Sequence, residues 1–130
     1  MSKYSLILSP NTSTTTKIKV LELCKNGGSL FQNFIDKIEN DGNLIDQLSG
    51  AIRIIEDTAN LNRRPQTKFR EIKDSKIKCK IYEAKSGSIR VYLFHEEKTG
   101  RVIVSGGLKG DQDEDIKAIK KVIKEYYESK

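Results

Sequence analysis

Residues 77–94 alternate between apolar and polar side chains, and this period of two constrains the fold more than any other feature of the sequence. The first run sets Ile77, Cys79 and Ile81 against Lys76, Lys78, Lys80 and Tyr82. After a turn at 86–88, the second run sets Ile89, Val91 and Leu93 against Arg90, Tyr92 and Phe94. Such alternation is typical of half-buried strands. With further strands predicted at 69–72 and 101–105, it indicates an antiparallel meander of four strands.

Helical spacing replaces this alternation on both sides of the strands. Apolar residues recur at three- and four-residue intervals from Leu30 to about Asn40 and again from Leu44 to Ala59, with Ser29 as an N-cap. The short turn between the two segments predicts an αα-hairpin. A terminal helix is predicted from a capping box formed by Asp111 and Glu114. Its apolar stripe comprises Ile116, Ile119, Ile123, Tyr126 and Tyr127.

The N-terminal residues have the composition of a loop. Residues 1–17 end in a run of threonine and serine, and we interpret them as an extension with room for a short strand at Tyr4–Leu8. A strand is predicted at 18–24. The expected arrangement is therefore one α+β domain over residues 18–130, with an αα-hairpin and a C-terminal helix packed on a twisted antiparallel sheet of about four strands.

Length and charge limit the class of protein. The chain has 130 residues, enough for one domain, and no apolar run approaches the ~20 residues that span a bilayer. We therefore expect a cytoplasmic protein without a membrane partner. Residues 67–110 hold 11 Lys and Arg against 5 Asp and Glu, which is the whole net charge of +6. This concentration favours a polyanion or an acidic partner, and a solvated strand face decorated with lysine is the alternative interpretation.

Few metal ligands are available. Cys24 and Cys79 belong to no CxxC pattern, and His95 is the single histidine. The common His/Cys metal sites need closely spaced ligands. We therefore expect neither a metal nor a cofactor, and interpret both cysteines as small core residues.

The polar faces of the predicted strands suggest contact with nucleic acid. If the hairpin places its two polar faces together, cations and aromatic rings alternate over one surface, as in sites that neutralise phosphates and stack bases. The candidate RNA-binding residues are Lys68, Arg70, Lys78, Lys80, Tyr82 and Tyr92.

Four segments carry a resemblance to a known family. They are GGSLFQNFIDKI (27–38), KIYEAKSGSIRVYLF (80–94), RVIVSGGLKG (101–110) and DEDIKAIKKVIKEY (113–126). Over residues 18–128 the chain resembles the RelE/ParE toxin superfamily, within it the phage-derived HigB-like branch.

The resemblance implies a RelE-like fold and the toxin of a type II toxin–antitoxin system. RelE- and HigB-like toxins cleave mRNA on the ribosome without a metal, through attack of a 2′-hydroxyl on the adjacent phosphate. The implied catalytic residues are Arg90, Lys85 and Lys109. Lys85 stands where the family has an arginine, and Gly110 replaces the second lysine of the family's Lys-Lys pair. The implied partners are the ribosome, mRNA and a cognate acidic or helix-turn-helix antitoxin.

Several alternatives remain open at this stage. The general base could be a lysine with a lowered pKa, Glu83, His95, Tyr126 or Tyr127. Purely structural roles compete with these: a strand-face salt bridge for Arg90, a loop cap for Lys109 and a place in the core for both tyrosines. The competing functions are a ParE-like inhibitor of DNA gyrase and a basic binding module without toxicity.

Overall fold

The computed structural model describes residues 3–129 and contains seven strands and three helices within them. In chain order they are β1 (Tyr4–Leu8), β2 (Val20–Lys25), β3 (Gly28–Ser29), α1 (Leu30–Ile38), α2 (Gly42–Ala59), β4 (Phe69–Ile72), β5 (Lys80–Ser86), β6 (Ile89–Glu96), β7 (Gly100–Leu108) and α3 (Gln112–Glu128). No helix in residues 3–129 combines the length and apolar character needed to cross a membrane.

The strands form a single mixed sheet in the order β1-β2-β7-β6-β5-β4, with β3 paired to β2. The predicted meander from β4 to β7 is confirmed, and every pair in the sheet is antiparallel except β2 with β7. The prediction of about four antiparallel strands was wrong, because β1 and β2 extend the sheet beyond β7. β2 does not alternate between apolar and polar residues, because four of its six residues are buried and neither of its faces is polar throughout.

The start of the chain is joined to this sheet. β1 pairs with β2 from Tyr4 opposite Lys25 to Leu8 opposite Leu21. Beyond β1, Ser9 Oγ donates a hydrogen bond of 2.6 Å and Asn11 Nδ2 one of 2.8 Å to the carboxylate of Glu22, which is fully buried. The segment predicted as an extension therefore contains an edge strand and two of the donors that satisfy a buried charge.

The helix boundaries follow the predicted periodicity closely, with one exception in capping. Ser29 Oγ accepts from the backbone N–H of Gln32, as predicted, and the side chain of Asp41 caps α2 in the same way. The predicted capping box at α3 is absent: Asp111 precedes the helix, but its side chain makes no capping hydrogen bond. Its backbone (φ −101°, ψ 9°) lies outside the extended region that this cap requires.

The sheet carries a separate core on each side. On one side, which we call the α1–α2 face, Phe31 and Ile55 pack with Leu93 and other strand residues. On the other, the α3 face, Ile123 packs with Phe94 and its neighbours. The three helices therefore cover both faces of the sheet, and the access of a ligand to a strand residue depends on which face it occupies.

Gly106 in β7 provides a test of this packing. A Cβ added at Gly106 would lie 2.5 Å from Cδ2 and Cε2 of the Phe34 ring, which packs in the α1–α2 core. We expect Gly106→Ala to lower the free energy of unfolding by about 1–3 kcal/mol, the usual cost of overpacking. Urea denaturation measures this as a lower midpoint at an unchanged m-value. Gly42→Ala is the matched control, because its Cβ would meet nothing within 4 Å. Equal midpoints for the two variants would contradict the packing described here.

Candidate functional site

The register of β5 against β6 determines which predicted site residues share a face. Lys85 lies opposite Arg90, Tyr82 opposite Leu93 and Lys80 opposite His95. Because paired residues point to the same side, Arg90 lies on the α3 face and Lys80 and Tyr82 on the α1–α2 face. The predicted single surface of cations and aromatic rings is therefore wrong. A shift of one residue exchanges the faces, and the register depends on the two-residue turn at 87–88.

Tyr92 was predicted to bind RNA but lies in the core beneath α3. Its ring and that of Phe94 are both fully buried. Burial and the nearby negative charge of Glu83 raise the pKa of Tyr92 above its ordinary range. A ring in this position has no free surface on which a base could stack, so the stacking prediction for Tyr92 is wrong.

The three predicted catalytic residues come together at the turn of the β5–β6 hairpin. Lys85 and Arg90 are cross-strand partners, and Arg90 is also paired with Gly107 of β7. Two residues further on, the backbone N–H of Lys109 donates to the carbonyl oxygen of Ser88 at 2.7 Å. Lys109 is exposed and Lys85 is half-buried. We call these three residues, with Glu83 and Asp115 described below, the hairpin cluster.

The side chain of Arg90 forms its hydrogen bonds within the β5–β6 hairpin. Its side chain is buried, and Nη1 donates to the carbonyl oxygens of Gly87 at 2.8 Å and of Ile89 at 2.9 Å. The Nε atom is buried without a hydrogen-bond partner among residues 3–129. No carboxylate in that range forms an ion pair with Arg90, so the salt bridge considered above is not the role it has here.

Glu83 is a fully buried carboxylate that lies two residues before Lys85, on the same face of β5. Arg70 Nε donates to Oε1 at 2.7 Å, and Gln112 Nε2 donates to Oε2 at 3.0 Å. Burial raises the pKa of Glu83, but the hydrogen bonds from Gln112 and Arg70 outweigh burial and leave the pKa below its usual value. Arg70, a predicted RNA-binding residue, is thus held in an ion pair. Lys68 is exposed, and its carbonyl oxygen accepts from the N–H of Lys85 at 2.8 Å.

Asp115 is a component of the cluster that the sequence analysis missed. Its Oδ2 lies so close to Gly107 that a Cβ there would clash with it, and this atom is buried without a hydrogen-bond partner among residues 3–129. Burial, together with the charges of Asp111 and Glu114, raises the pKa of the Asp115 carboxyl. The cluster therefore holds two carboxyl groups whose pKa values are shifted in opposite directions, an arrangement that active sites use to separate acid and base roles. The predicted capping box concealed Asp115, because an acidic first turn has a sufficient structural explanation.

A second candidate site lies at the opposite end of the same two strands. Lys80 and Ser86 are separated by about 20 Å at the usual rise per strand residue. At the Lys80 end, a cleft of about 900 Å³ is lined by side chains from both faces of the sheet and from α3. Its charged lining residues are five cations, Lys76, Lys78, Lys80, Arg101 and Lys124, and three carboxylates, Glu96, Glu97 and Glu128, so cations are in excess. We call this the basic cleft. It contains three of the six predicted RNA-binding residues, Lys78, Lys80 and Tyr82.

The loop before β5 places Lys78 in this cleft. The predicted strand at 77–82 begins only at Lys80, so Ile77, Lys78 and Cys79 precede it. Tyr82 stacks on Phe69 with ring centroids 4.9 Å apart and an angle of 18° between the planes. Arg101 lies beside both rings, its Cζ 5.1 Å from the centroid of Tyr82, and burial lowers its pKa. Arg101 had no signal in the sequence beyond its place at the start of a strand.

No family model matches the sequence, and no curated protein or solved structure matches it either.

The Arg70–Glu83 pair predicts how stability depends on pH. We expect Glu83→Gln to lower the free energy of unfolding at pH 7 by about 3 kcal/mol, the lower end for breaking a buried ion pair, because Arg70 is partly solvated. The lowered pKa of Glu83 contributes stability above its unfolded pKa of about 4.3, and this contribution is lost as the pH falls through the folded pKa. The variant should therefore lose less stability than wild type below about pH 4.3.

Urea titrations at a series of pH values measure this difference. Glu71→Gln is the matched control, because Glu71 lies on the neighbouring strand and is exposed. If Glu83→Gln and Glu71→Gln gave the same pH profile, the structural role assigned to Glu83 would be wrong.

Proposed function

We propose that the chain is the toxin of a type II toxin–antitoxin pair and that it cleaves mRNA on the ribosome at the hairpin cluster. The observation that carries the proposal is the convergence of Lys85, Arg90 and Lys109. These residues come from two strands and a loop, and the family resemblance implies a catalytic role for each of them. The α+β architecture is compatible with the proposal.

The three cations of the hairpin cluster have different roles in the proposed cleavage. Lys109 is exposed and Lys85 half-buried, so these two side chains can approach a phosphate and neutralise the charge that develops on it. Arg90 is a positioning residue here, since its Nη1 holds the carbonyl oxygens of the turn that carries Lys85. This differs from the direct contact with phosphate that the resemblance implies for Arg90.

Asp115 is the best candidate for the general base. In the proposed reaction the 2′-oxygen bonds to the adjacent phosphorus and gives its proton to Asp115, while the bond to the 5′-oxygen breaks. The products are a 2′,3′-cyclic phosphate and a 5′-hydroxyl that takes up a proton. A carboxyl with a raised pKa is a stronger base than an ordinary one, and Asp115 is less buried than Glu83. Glu83 is already occupied by Arg70 and Gln112.

The charge of the chain favours the partners proposed with this function. The net charge of +6 lies in residues 67–110, which contain β4 to β7. Such a surface attracts mRNA and ribosomal RNA, and an acidic antitoxin could neutralise it. The proposed location of the encounter is the cytoplasm.

Cleavage can be tested in a translating extract by mapping the 5′ ends of the mRNA. We expect wild type to generate new ends, and Lys109→Ala and Lys85→Ala each to slow cleavage by about 10²-fold, the cost of losing one group that stabilises the transition state. Lys121→Ala is the control, because Lys121 is exposed on α3 and lines neither the basic cleft nor the pocket beside Asp115. Intact mRNA would reject the proposal. If supercoiling by gyrase were inhibited at the same time, the non-enzymatic alternative would replace it.

The pH dependence of cleavage tests the role of Asp115. A general base acts when deprotonated, so the rate should rise with pH until the raised pKa of Asp115 is passed. We expect Asp115→Asn to lower the single-turnover rate by about 10²–10⁴-fold and to abolish this rise. Asp113→Asn, which changes an exposed acid in the same helical turn, should retain both rate and profile. An unchanged pH profile in Asp115→Asn would exclude Asp115 as the base.

A further inference from the structure

Three basic residues lie directly opposite one another on three neighbouring strands of the basic cleft. Lys80 of β5 is paired with His95 of β6, and His95 is paired with Arg101 of β7. Neighbouring Cβ atoms in such a row are about 5 Å apart. All three side chains line the cleft. The sheet therefore presents a continuous row of nitrogen donors, which we call the basic row.

Arg101 carries a charge that no carboxylate in the described part of the chain neutralises. Its Nη1 donates to the hydroxyl of Thr58 at 2.8 Å, and its Cζ lies beside the stacked rings of Phe69 and Tyr82, 5.5 Å and 5.1 Å from their centroids. Within residues 3–129, Arg101 forms no ion pair with a carboxylate. A partly desolvated guanidinium without a counter-ion is costly, and an anionic ligand would remove that cost.

The rest of the row is equally short of partners. His95 Nδ1 is buried and has no hydrogen-bond partner in the described part of the chain. Glu96, the nearest carboxylate along the strand, accepts hydrogen bonds from the hydroxyls of Thr99 and Tyr126. Among residues 3–129, no ion pair joins Lys80, His95 or Arg101 to an acidic residue.

We propose that the basic cleft binds a nucleotide unit of single-stranded RNA, with its phosphate on the basic row and its base against Tyr82. Cations that follow a backbone and rings that stack bases are the usual components of single-strand sites. Tyr82 is half-buried and held by Phe69, so its orientation is set before a base arrives. An acidic peptide would pair with the cations but would not stack on the Tyr82 ring. The site is separate from the hairpin cluster, and the inference does not depend on cleavage.

Fluorescence anisotropy with a labelled 12-nucleotide uridine RNA and the full chain tests the site. For single strands the logarithm of affinity falls with the logarithm of salt concentration at a slope of about −0.7 per neutralised phosphate. We expect Lys80→Ala to reduce that slope by about 0.7 and to weaken binding about fivefold at 0.1 M salt. Lys37→Ala, an exposed lysine on α1, should bind as wild type does.

Arg101 gives the sharper comparison. Arg101→Met keeps the length and apolar packing of the side chain without its charge, and we expect it to weaken binding by at least as much as Lys80→Ala. Arg101→Lys retains the charge and should bind more tightly than Arg101→Met. Urea midpoints of each variant identify any loss of folding, and if Arg101→Met is unfolded then Lys80→Ala and His95→Ala, assayed with the same RNA, decide the matter.

The possible outcomes separate this inference from the proposed function. Equal affinity of folded wild type, Lys80→Ala and Arg101→Met for the RNA would overturn the site. So would failure to bind the RNA while a polyglutamate peptide binds and depends on the same residues. RNA binding that follows the basic row, in a chain that cuts no mRNA, would support the site and reject the nuclease. Cleavage of mRNA by a chain whose RNA binding does not depend on the basic row would reject the basic cleft as the RNA site and leave the nuclease standing.

Discussion

The pairing of β5 with β6 is the constraint on which both candidate sites depend. It is set at the turn, where Gly87 adopts φ +57° and Arg90 Nη1 holds the carbonyl oxygens of Gly87 and Ile89. From there the pairing continues to Lys80 opposite His95. Had the register shifted by one residue, the buried and exposed sets would have exchanged faces. Arg90 therefore influences the distant cleft as well as its own surroundings, through the alignment of the strands.

The two ends of this hairpin differ in how their charges are compensated. At the turn, Glu83 is paired with Arg70, while Arg90 Nε and Asp115 Oδ2 are buried without hydrogen-bond partners among residues 3–129. At the other end, Arg101 has aromatic neighbours and a threonine hydroxyl but no carboxylate among the described residues. The Arg70–Glu83 pair holds its geometry without a ligand, whereas Arg101 gains free energy when an anion arrives. The turn therefore keeps titratable groups in fixed positions, and the cleft favours an anion.

Local pattern in the sequence was sufficient for the elements and insufficient for their assembly. Helical spacing predicted both helices of the αα-hairpin within a few residues, and Ser29 was correctly identified as a cap, because these features depend on neighbours three or four positions away. The face pairing of β5 and β6 was wrong because it depends on turn geometry. The number of strands was wrong because β2 pairs in parallel with a strand about 80 residues later, and no short-range pattern reports such a contact.

In the candidate site, too, the sequence identified the residues better than it identified their surroundings. The resemblance selected Lys85, Arg90 and Lys109, which do come together, but residue type could not reveal that Arg90 is buried against carbonyl oxygens. Asp115 and Arg101 were overlooked because an acid in a first helical turn and a cation in a strand are unremarkable in sequence.

Burial, and not residue type, distinguishes Asp115 and Arg101 from other acids and cations of the chain. It raises the pKa of the Asp115 carboxyl, and it lowers the pKa of the Arg101 guanidinium. Both effects arise from contacts between distant parts of the chain. Asp115 of α3 lies against Gly107 of β7, and Arg101 of β7 donates to Thr58 of α2. Whatever chemistry this chain performs therefore depends on how its helices are placed against the sheet, which is the part of the structure that its sequence reveals least.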